Sequence, residues 1–271
     1  MITGTGWRIT FAVVAALTIG AAPALAQSPA ASVGSGVHDW TGLYGGLNAG
    51  YGWGNNPVVL SGDEAQVQNI GIALGILPSS LADDPDGFIG GAQLGYSFQL
   101  GPVVLGTETD LQFAEIASSQ TVSTAVPPFA PFTTRASQKL DMLGTVRGRV
   151  GISPFSPSLL PDDALLFYAT GGFAYGHASL KASAVNPGCF AICSFGQESH
   201  VLPGWTVGGG LEYAFARRWS VKAEYLHYDL GSFTMTVRDH RDRFPGVFET
   251  FTADISGNVV RLGVNFKFWG P

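Results

Sequence analysis

Asn258-Val-Val-Arg-Leu-Gly-Val-Asn-Phe-Lys-Phe268, close to the end of a 271-residue chain, alternates with a strict period of two. Val260, Leu262, Val264, Phe266 and Phe268 fall on one face, and Val259, Arg261, Gly263, Asn265 and Lys267 on the other. Successive side chains of a strand point to opposite sides, so this segment is a strand with one greasy and one largely polar face. A soluble antiparallel sheet alternates in the same way, and the opposite end of the chain separates the two cases. Arg8, the apolar run from Ile9 to Gly20 and Ala24-Leu25-Ala26 follow the order of a secretory signal, with cleavage expected between Ala26 and Gln27. A retained anchor is the alternative, because ~18 uncharged residues approach the length of a spanning helix. Pro23 and the Ala-rich end favour cleavage. An exported strand of this kind points to a closed barrel whose apolar face meets lipid.

With residues 1–26 set aside as signal, 27–39 read as a polar linker and 40–271 as one domain; about 245 residues suffice for that. Loss of Arg8 takes the net charge from -6 to -7, which argues against nucleic acid as a partner. Charged residues make up 13% of the chain, about half the ~25% usual in globular proteins. After the signal, no uncharged apolar run reaches the ~18 residues of a membrane-crossing helix. A chain so poor in charge and without such helices fits a transmembrane barrel, where half of each strand faces lipid. The two cysteines, Cys189 and Cys193, read as a small-loop disulfide in an exported protein. A metal or haem ligand pair is the other reading, with only His177 and His200 in the neighbourhood.

Eight alternating segments are legible. Thr41–Trp53 puts Leu43, Leu47, Ala49, Tyr51 and Trp53 on one face, with Tyr44, Asn48 and glycines on the other. Gly87–Leu100 sets Phe88, Ala92, Leu94, Tyr96 and Phe98 against Gln93, Ser97 and Gln99. From Val103 to Phe113, Val103, Leu105, Leu111 and Phe113 oppose Glu108, Asp110 and Gln112. From about Leu140 to Ile152, Leu140, Met142, Val146 and Val150 oppose Asp141, Thr145, Arg147 and Arg149. Leu165–Tyr175, Trp205–Phe215 and a segment beginning at Trp219 follow the same rule, and the terminal segment completes the set. Long connections (54–86, 116–138, 178–204, 233–252) alternate with shorter ones (100–102, 153–164, 216–218), as in outer-membrane barrels with short periplasmic turns and long outer loops. Phe98, Phe167, Phe215, Trp219, Phe266 and Phe268 gather at the short-turn ends, and Tyr51, Trp53, Phe88, Phe113, Tyr175 and Trp205 at the long-loop ends. Two such girdles mark bilayer boundaries. The expected fold is all-β: an eight-stranded antiparallel transmembrane β-barrel with long extracellular loops and both termini periplasmic.

Trp40-Thr-Gly-Leu-Tyr-Gly-Gly-Leu-Asn-Ala-Gly-Tyr-Gly-Trp-Gly54 resembles the first-strand signature of the small outer-membrane barrels of alphaproteobacteria. These are the outer membrane immunogenic or porin-family beta-barrel proteins, related in fold to the OmpA-type barrel. Leu140–Gly151, with its Arg-Gly-Arg, and Trp219–Gly231 are similar to two further strands of that family, so the resemblance covers nearly the whole mature chain. It implies residence in the cell outer membrane. It does not imply a single settled activity. Outer-membrane lipids including lipopolysaccharide are expected partners, as are the barrel assembly machinery and periplasmic chaperones, for which Phe266 and Phe268 would be the terminal signal. Such chains usually stop at the terminal Phe, whereas Trp269-Gly-Pro271 follows here.

The inward face collects Glu108, Asp110, Asp141, Glu212 and Glu224 against Arg147, Arg149, Lys222, Arg261 and Lys267. Glu108 is expected across from Arg147 and Glu212 across from Lys222, since opposite charges on neighbouring strands attract and a buried charge is costly alone. Eight strands leave room only for side chains, so a packed polar plug is expected over an ion path. Exchanging the charges of Glu108 and Arg147 is expected to restore folding that either single change weakens.

Among the loops, Asp63, Glu64, Asp83, Asp84 and Asp86 make the first acidic, but Asp84-Pro-Asp-Gly87 lacks calcium-loop spacing. In the last, Arg238-Asp-His-Arg-Asp-Arg243 reads as a lipopolysaccharide phosphate grip or as a solvated charge run. His177, His200 and His240 could in principle touch haem, although scattered loop histidines usually do not, and neither His227 with Ser232 nor His200 with Ser199 forms a nucleophile–base set. No catalytic residue, cofactor or metal site is expected. The function expected is a structural and surface-interaction barrel displaying loops to lipopolysaccharide or host molecules. A small channel is the alternative, although aqueous porins use ~16–18 strands; a lipid-modifying enzyme or a haem-binding surface protein ranks below it. Heat-dependent gel mobility of the unboiled protein is the expected mark of the folded barrel.

Overall fold

A computed structural model of the chain describes residues 38–62, 67–82, 84–127, 131–154, 164–186, 193–238 and 248–270. Its elements are β1 (Gly42–Trp53), β2 (Val58–Gly62), α1 (Val67–Ala73), β3 (Ser80–Leu81), β4 (Asp86–Leu100), β5 (Val103–Thr124), β6 (Phe132–Ile152), β7 (Ala164–Val185), β8 (Cys193–Ala216), β9 (Trp219–Arg238) and β10 (Phe248–Trp269). Eight of them close a ring in the order β1-β4-β5-β6-β7-β8-β9-β10, and β10 returns to pair with β1 from Leu43↔Trp269 to Trp53↔Asn258. Every pairing is antiparallel. The ring leaves no open edge at the level of β1, the condition for a sheet surrounded by hydrocarbon. Leu47, Phe88, Phe113 and Leu262 turn outward and are exposed, while Glu108, Arg147, Lys222 and Arg261 turn inward and are buried. Both aromatic girdles stand on the outer wall where expected, and the two chain ends of the ring lie together at its short-turn end.

The strands are longer than the periodic segments suggest. β5 to β10 run 20 to 24 residues, against the ~9–11 that cross a bilayer. Stretches within 116–138, 178–204 and 233–252, expected as loops, continue the same ladders beyond the long-loop girdle. The connection 54–86 contributes β2, α1 and β3: β2 takes over from β1 alongside β10 (Val58↔Ala253, Leu60↔Phe251), and β3 lies against β2 (Leu81↔Val58).

Beyond the girdle the wall divides. β8 and β9 pair only as far as Trp205↔Asp229, whereas β7–β8 continues to Val185↔Cys193 and β9–β10 to Phe248↔Arg238. The parting is built locally. Gly231 takes φ 72°, which suits a residue without Cβ, its N–H donates to Asp229 Oδ1 at 2.8 Å, and the β9–β10 register slips between Asp254 and Ser256. The projecting part is thus two facing sheets, β5–β8 and β9-β10-β2-β3. Between them lies an apolar core that includes Leu60, Leu81, Ile116, Leu180, Met235 and Phe251. Full burial of such side chains is worth roughly 1.5–3 kcal/mol each. The inner face of β8 lies over β9, because a Cβ at Gly196 would stand 2.9 Å from Val237.

The signal with its Ala26–Gln27 junction, nearly all of the linker, Cys189 and the last loop from Asp239 lie outside the described residues, so the disulfide and the loop's phosphate grip do too.

Candidate functional site in the lumen

The interior is filled in three layers. At the short-turn end Trp40, Val104, Ala164, Leu166, Tyr168 and Ala214 form a small apolar stopper. Trp40 is fixed there by its indole N–H on Ser153 Oγ at 3.2 Å and by its backbone N–H on Gln99 Oε1 at 2.8 Å. At the long-loop end the core described above closes the lumen. Between them stands a charged layer.

Arg147 of β6 is its hub. One terminal nitrogen donates to Glu108 at 2.5 Å and to Asp110 at 2.9 Å, the other to Glu224 at 3.1 Å, and Nε to Thr145 at 2.9 Å. Arg261 of β10 reaches Asp110 at 2.9 Å and Glu224 at 2.7 Å through Nε. Lys222 of β9 donates to Glu108 at 2.8 Å. Arg149 bridges Glu108 at 3.2 Å and Glu212 at 2.7 Å, and its guanidinium lies 3.9 Å from the centre of the Tyr168 ring. Four cations thus meet four carboxylates, and the side chains of Arg147, Lys222, Arg261, Glu108, Asp110 and Glu224 have no exposed surface. Polar neighbours complete the layer: Tyr44 donates to Glu108 at 2.8 Å, Tyr168 to Glu224 at 2.9 Å, and Ser220 and Asn265 to Glu212 at 2.6 and 2.7 Å. Charges out of water require this degree of pairing and hydrogen bonding. Glycine makes the room, since a Cβ at Gly95 would stand within 2.3 Å of the Tyr44 hydroxyl.

Eight of the ten lumen residues expected from the sequence are therefore brought together, and two are not. Asp141 faces outward, beside Lys139 at 2.6 Å and His177 at 3.4 Å. It is the extra residue of an irregularity between Leu140 and Met142, absent from the register with both neighbours. A one-residue insertion reverses which face each side chain takes, so Leu140, expected outward, is buried inside. Lys267 sits half-buried at the short-turn mouth and donates to the Asp39 carbonyl at 2.7 Å, away from the ion-pair layer. Glu108 does stand opposite Arg147, and Glu212 opposite Lys222. Yet Glu212 bonds Arg149 and Lys222 bonds Glu108, because in so narrow a barrel side chains reach across the lumen as readily as along the wall. Tyr44, Tyr168 and Asn265 join the network beyond the residues expected from the sequence; the inward parity of Tyr44 and Asn265 is the sign the sequence carries of two of them.

The histidines stand apart. His227 faces outward against Asn258 at 3.1 Å, His177 joins Asp141, and His200 joins Glu198 at 3.2 Å. Phe266 and Phe268 lie in the short-turn girdle, with ring centres 5.6 Å apart.

A closed ring of eight antiparallel strands, greasy outside and charge-balanced inside, defines an outer-membrane barrel. The chain belongs to the outer membrane protein beta-barrel domain family, which matches residues 12–268. It is 33% identical over 253 residues to the 31 kDa outer-membrane immunogenic protein of Brucella melitensis, covering 92% of each chain. To the 22 kDa outer membrane protein of Rhizobium leguminosarum it is 29% identical over 184 residues, 67% of each. The solved outer membrane protein OprG of Pseudomonas aeruginosa superposes with a TM-score of 0.49 at 12% identity, covering 87% of this chain and 99% of that one. The protein is an outer-membrane β-barrel.

Proposed function

We propose that the protein is a closed, non-conducting barrel with a structural and surface-display role in the envelope and no catalytic activity. The long hairpins project outward, both chain ends face the periplasm, and lipopolysaccharide or host molecules meet the projecting sheets. The observation that carries this reading is the threefold filling of the lumen. A path for ions would have to cross the Trp40 stopper, the charged layer and the apolar core, and each is packed. Burial of the charged layer favours a role in holding the wall together over one in conduction. Among the described histidines none stands with a nucleophile and an acid in the manner acyl or phosphoryl chemistry requires. During insertion, the chain end carrying Phe266 and Phe268 is the element offered to the assembly machinery and its chaperones.

Planar-bilayer recording tests the reading. Purified, heat-modifiable protein is expected to leave the membrane electrically silent across the voltage range. A steady ohmic conductance from every insertion would overturn it in favour of a small channel.

A further inference from the structure

The outer wall carries two concavities that β5 joins. The lower, of about 680 Å³, lies on the hydrocarbon-facing side of β10, β1, β4 and β5, between Tyr51, Phe88, Phe113 and Leu262. Its floor is Ala49 and Gly90, small residues paired with each other between larger neighbours. Glu115 closes its upper end, just beyond the girdle residue Phe113. The upper, of about 650 Å³, begins at Ser119 on the same strand and is lined by Arg135, Ser137, Lys181, Phe195 and Gln197.

On the outward face of β4 to β7 the charges are sorted by height; outside that sector Glu198 of β8, level with residue 180 and beside His200 at 3.2 Å, and Asp254 of β10 are exposed carboxylates beyond the girdle. At the girdle stand carboxylates: Asp86, Glu115 and Asp141, the last balanced by Lys139 and His177. Above them the exposed cations are Lys181 and Arg135, and Arg135 is steadied by Thr121 at 3.0 Å. Register places Lys139, Lys181 and Arg135 level with residues 179, 181 and 183 of β7, beyond the girdle residue Tyr175. At ~3.3 Å per residue and a strand tilt of ~40°, these cations stand ~10, ~15 and ~20 Å above the girdle. Hydroxyl and amide groups of Ser119, Ser137, Ser183 and Gln197 lie among the upper two.

We propose that this wall seats an acidic glycolipid of the outer leaflet, with an acyl chain in the lower groove and phosphorylated or carboxylated core sugars against Lys181 and Arg135. The inference rests on the orientation proposed above, with the long hairpins outward. The height sorting selects the occupant. A phospholipid holds its phosphate in one plane at the girdle, where the wall presents carboxylates. A glycolipid raises acidic groups on its sugars to the level of the cations, and those sugars meet the hydroxyl and amide groups there. Arginine suits this task because its fork matches phosphate and carboxylate oxygens in pairs.

The test uses full-length protein reconstituted with lipopolysaccharide bearing a complete phosphorylated core, with lipid A alone, or with phosphatidylglycerol, then washed in detergent and assayed for retained lipid. Wild type is expected to keep the core-bearing form and to release the other two. The double substitution Arg135→Ser with Lys181→Ser is expected to weaken retention about thirtyfold, at about fivefold for each cation near the surface. Exchanging the two cations (Arg135→Lys with Lys181→Arg) should preserve most of it. Ala49→Phe, a lipid-facing apolar change that fills the lower groove, should also reduce it. Undiminished retention by the double variant, or equal retention of lipid A or phosphatidylglycerol, would overturn the proposal. Heat-modifiable mobility, measured on every sample, reports the barrel separately. Its loss in the wild type would remove the barrel reading and this site with it, whereas its persistence without selective retention defeats the site alone.

Discussion

Arg147→Ala is expected to destabilise the barrel by about 3–5 kcal/mol, the usual cost of stranding buried charges. Its guanidinium serves three carboxylates with no exposed surface, so its removal leaves Glu108, Asp110 and Glu224 to share Arg261, Lys222 and Arg149. Urea titration of the refolded protein in lipid, followed by the heat-modifiable band, measures the shift. A change under about 1 kcal/mol would place this residue among ordinary surface pairs. The reciprocal exchange Glu108→Arg with Arg147→Glu is expected to fail as a rescue, contrary to the sequence-based expectation that it restores folding. A guanidinium at position 108 would meet Arg149 and Lys222, now at 3.2 and 2.8 Å, and a carboxylate at 147 would meet Asp110 and Glu224, now at 2.9 and 3.1 Å. The double variant should therefore be at least as unstable as either single one.

Phe251→Asp is expected to disorder the projecting sheets while the membrane-level ring survives. Phe251 is fully buried, opposite Met235 on β9 and Leu60 on β2, so it anchors the middle of the β9-β10-β2-β3 sheet in the apolar core shared with β5–β8. A carboxylate there has no cation within the apolar cluster, and burial of an unpaired charge costs several kcal/mol. The charged layer belongs to a separate level of the lumen and should hold. Limited proteolysis of the reconstituted variant should cut β9, β10 and the 54–86 segment beyond the girdle, with the band shift retained. Loss of the shift together with the protease resistance would mean that the two levels fold as one unit.

What the sequence made legible follows from the pleat. Strict alternation assigned the outer faces of β1, β4 and β10, and the parity of Glu108 and Arg147 placed them inward and opposite. It failed at Asp141, because an inserted residue reverses parity without altering composition. It failed again beyond the girdles. There the outward positions of β5 to β7 carry Ser, Thr, Lys and Arg, while inward ones include the small Ala136, Ala182 and Ala184. Without a lipid-facing row of large apolar residues the segments resemble polar loops, although backbone pairing continues. The sharing of each carboxylate among several cations depends on how narrow the closed ring is, and only closure reveals that.

Closure joins β1 to β10, the first strand of the ring to the last. During synthesis no shorter product can finish the cylinder. A chain cut anywhere before Asn258 would expose two raw strand edges and a row of half-neutralised ions. Unpaired edges template pairing with other chains, so such fragments are expected to aggregate. The last strand is thus the keystone: the cylinder keeps a raw rim until residues 258–269 lie against β1.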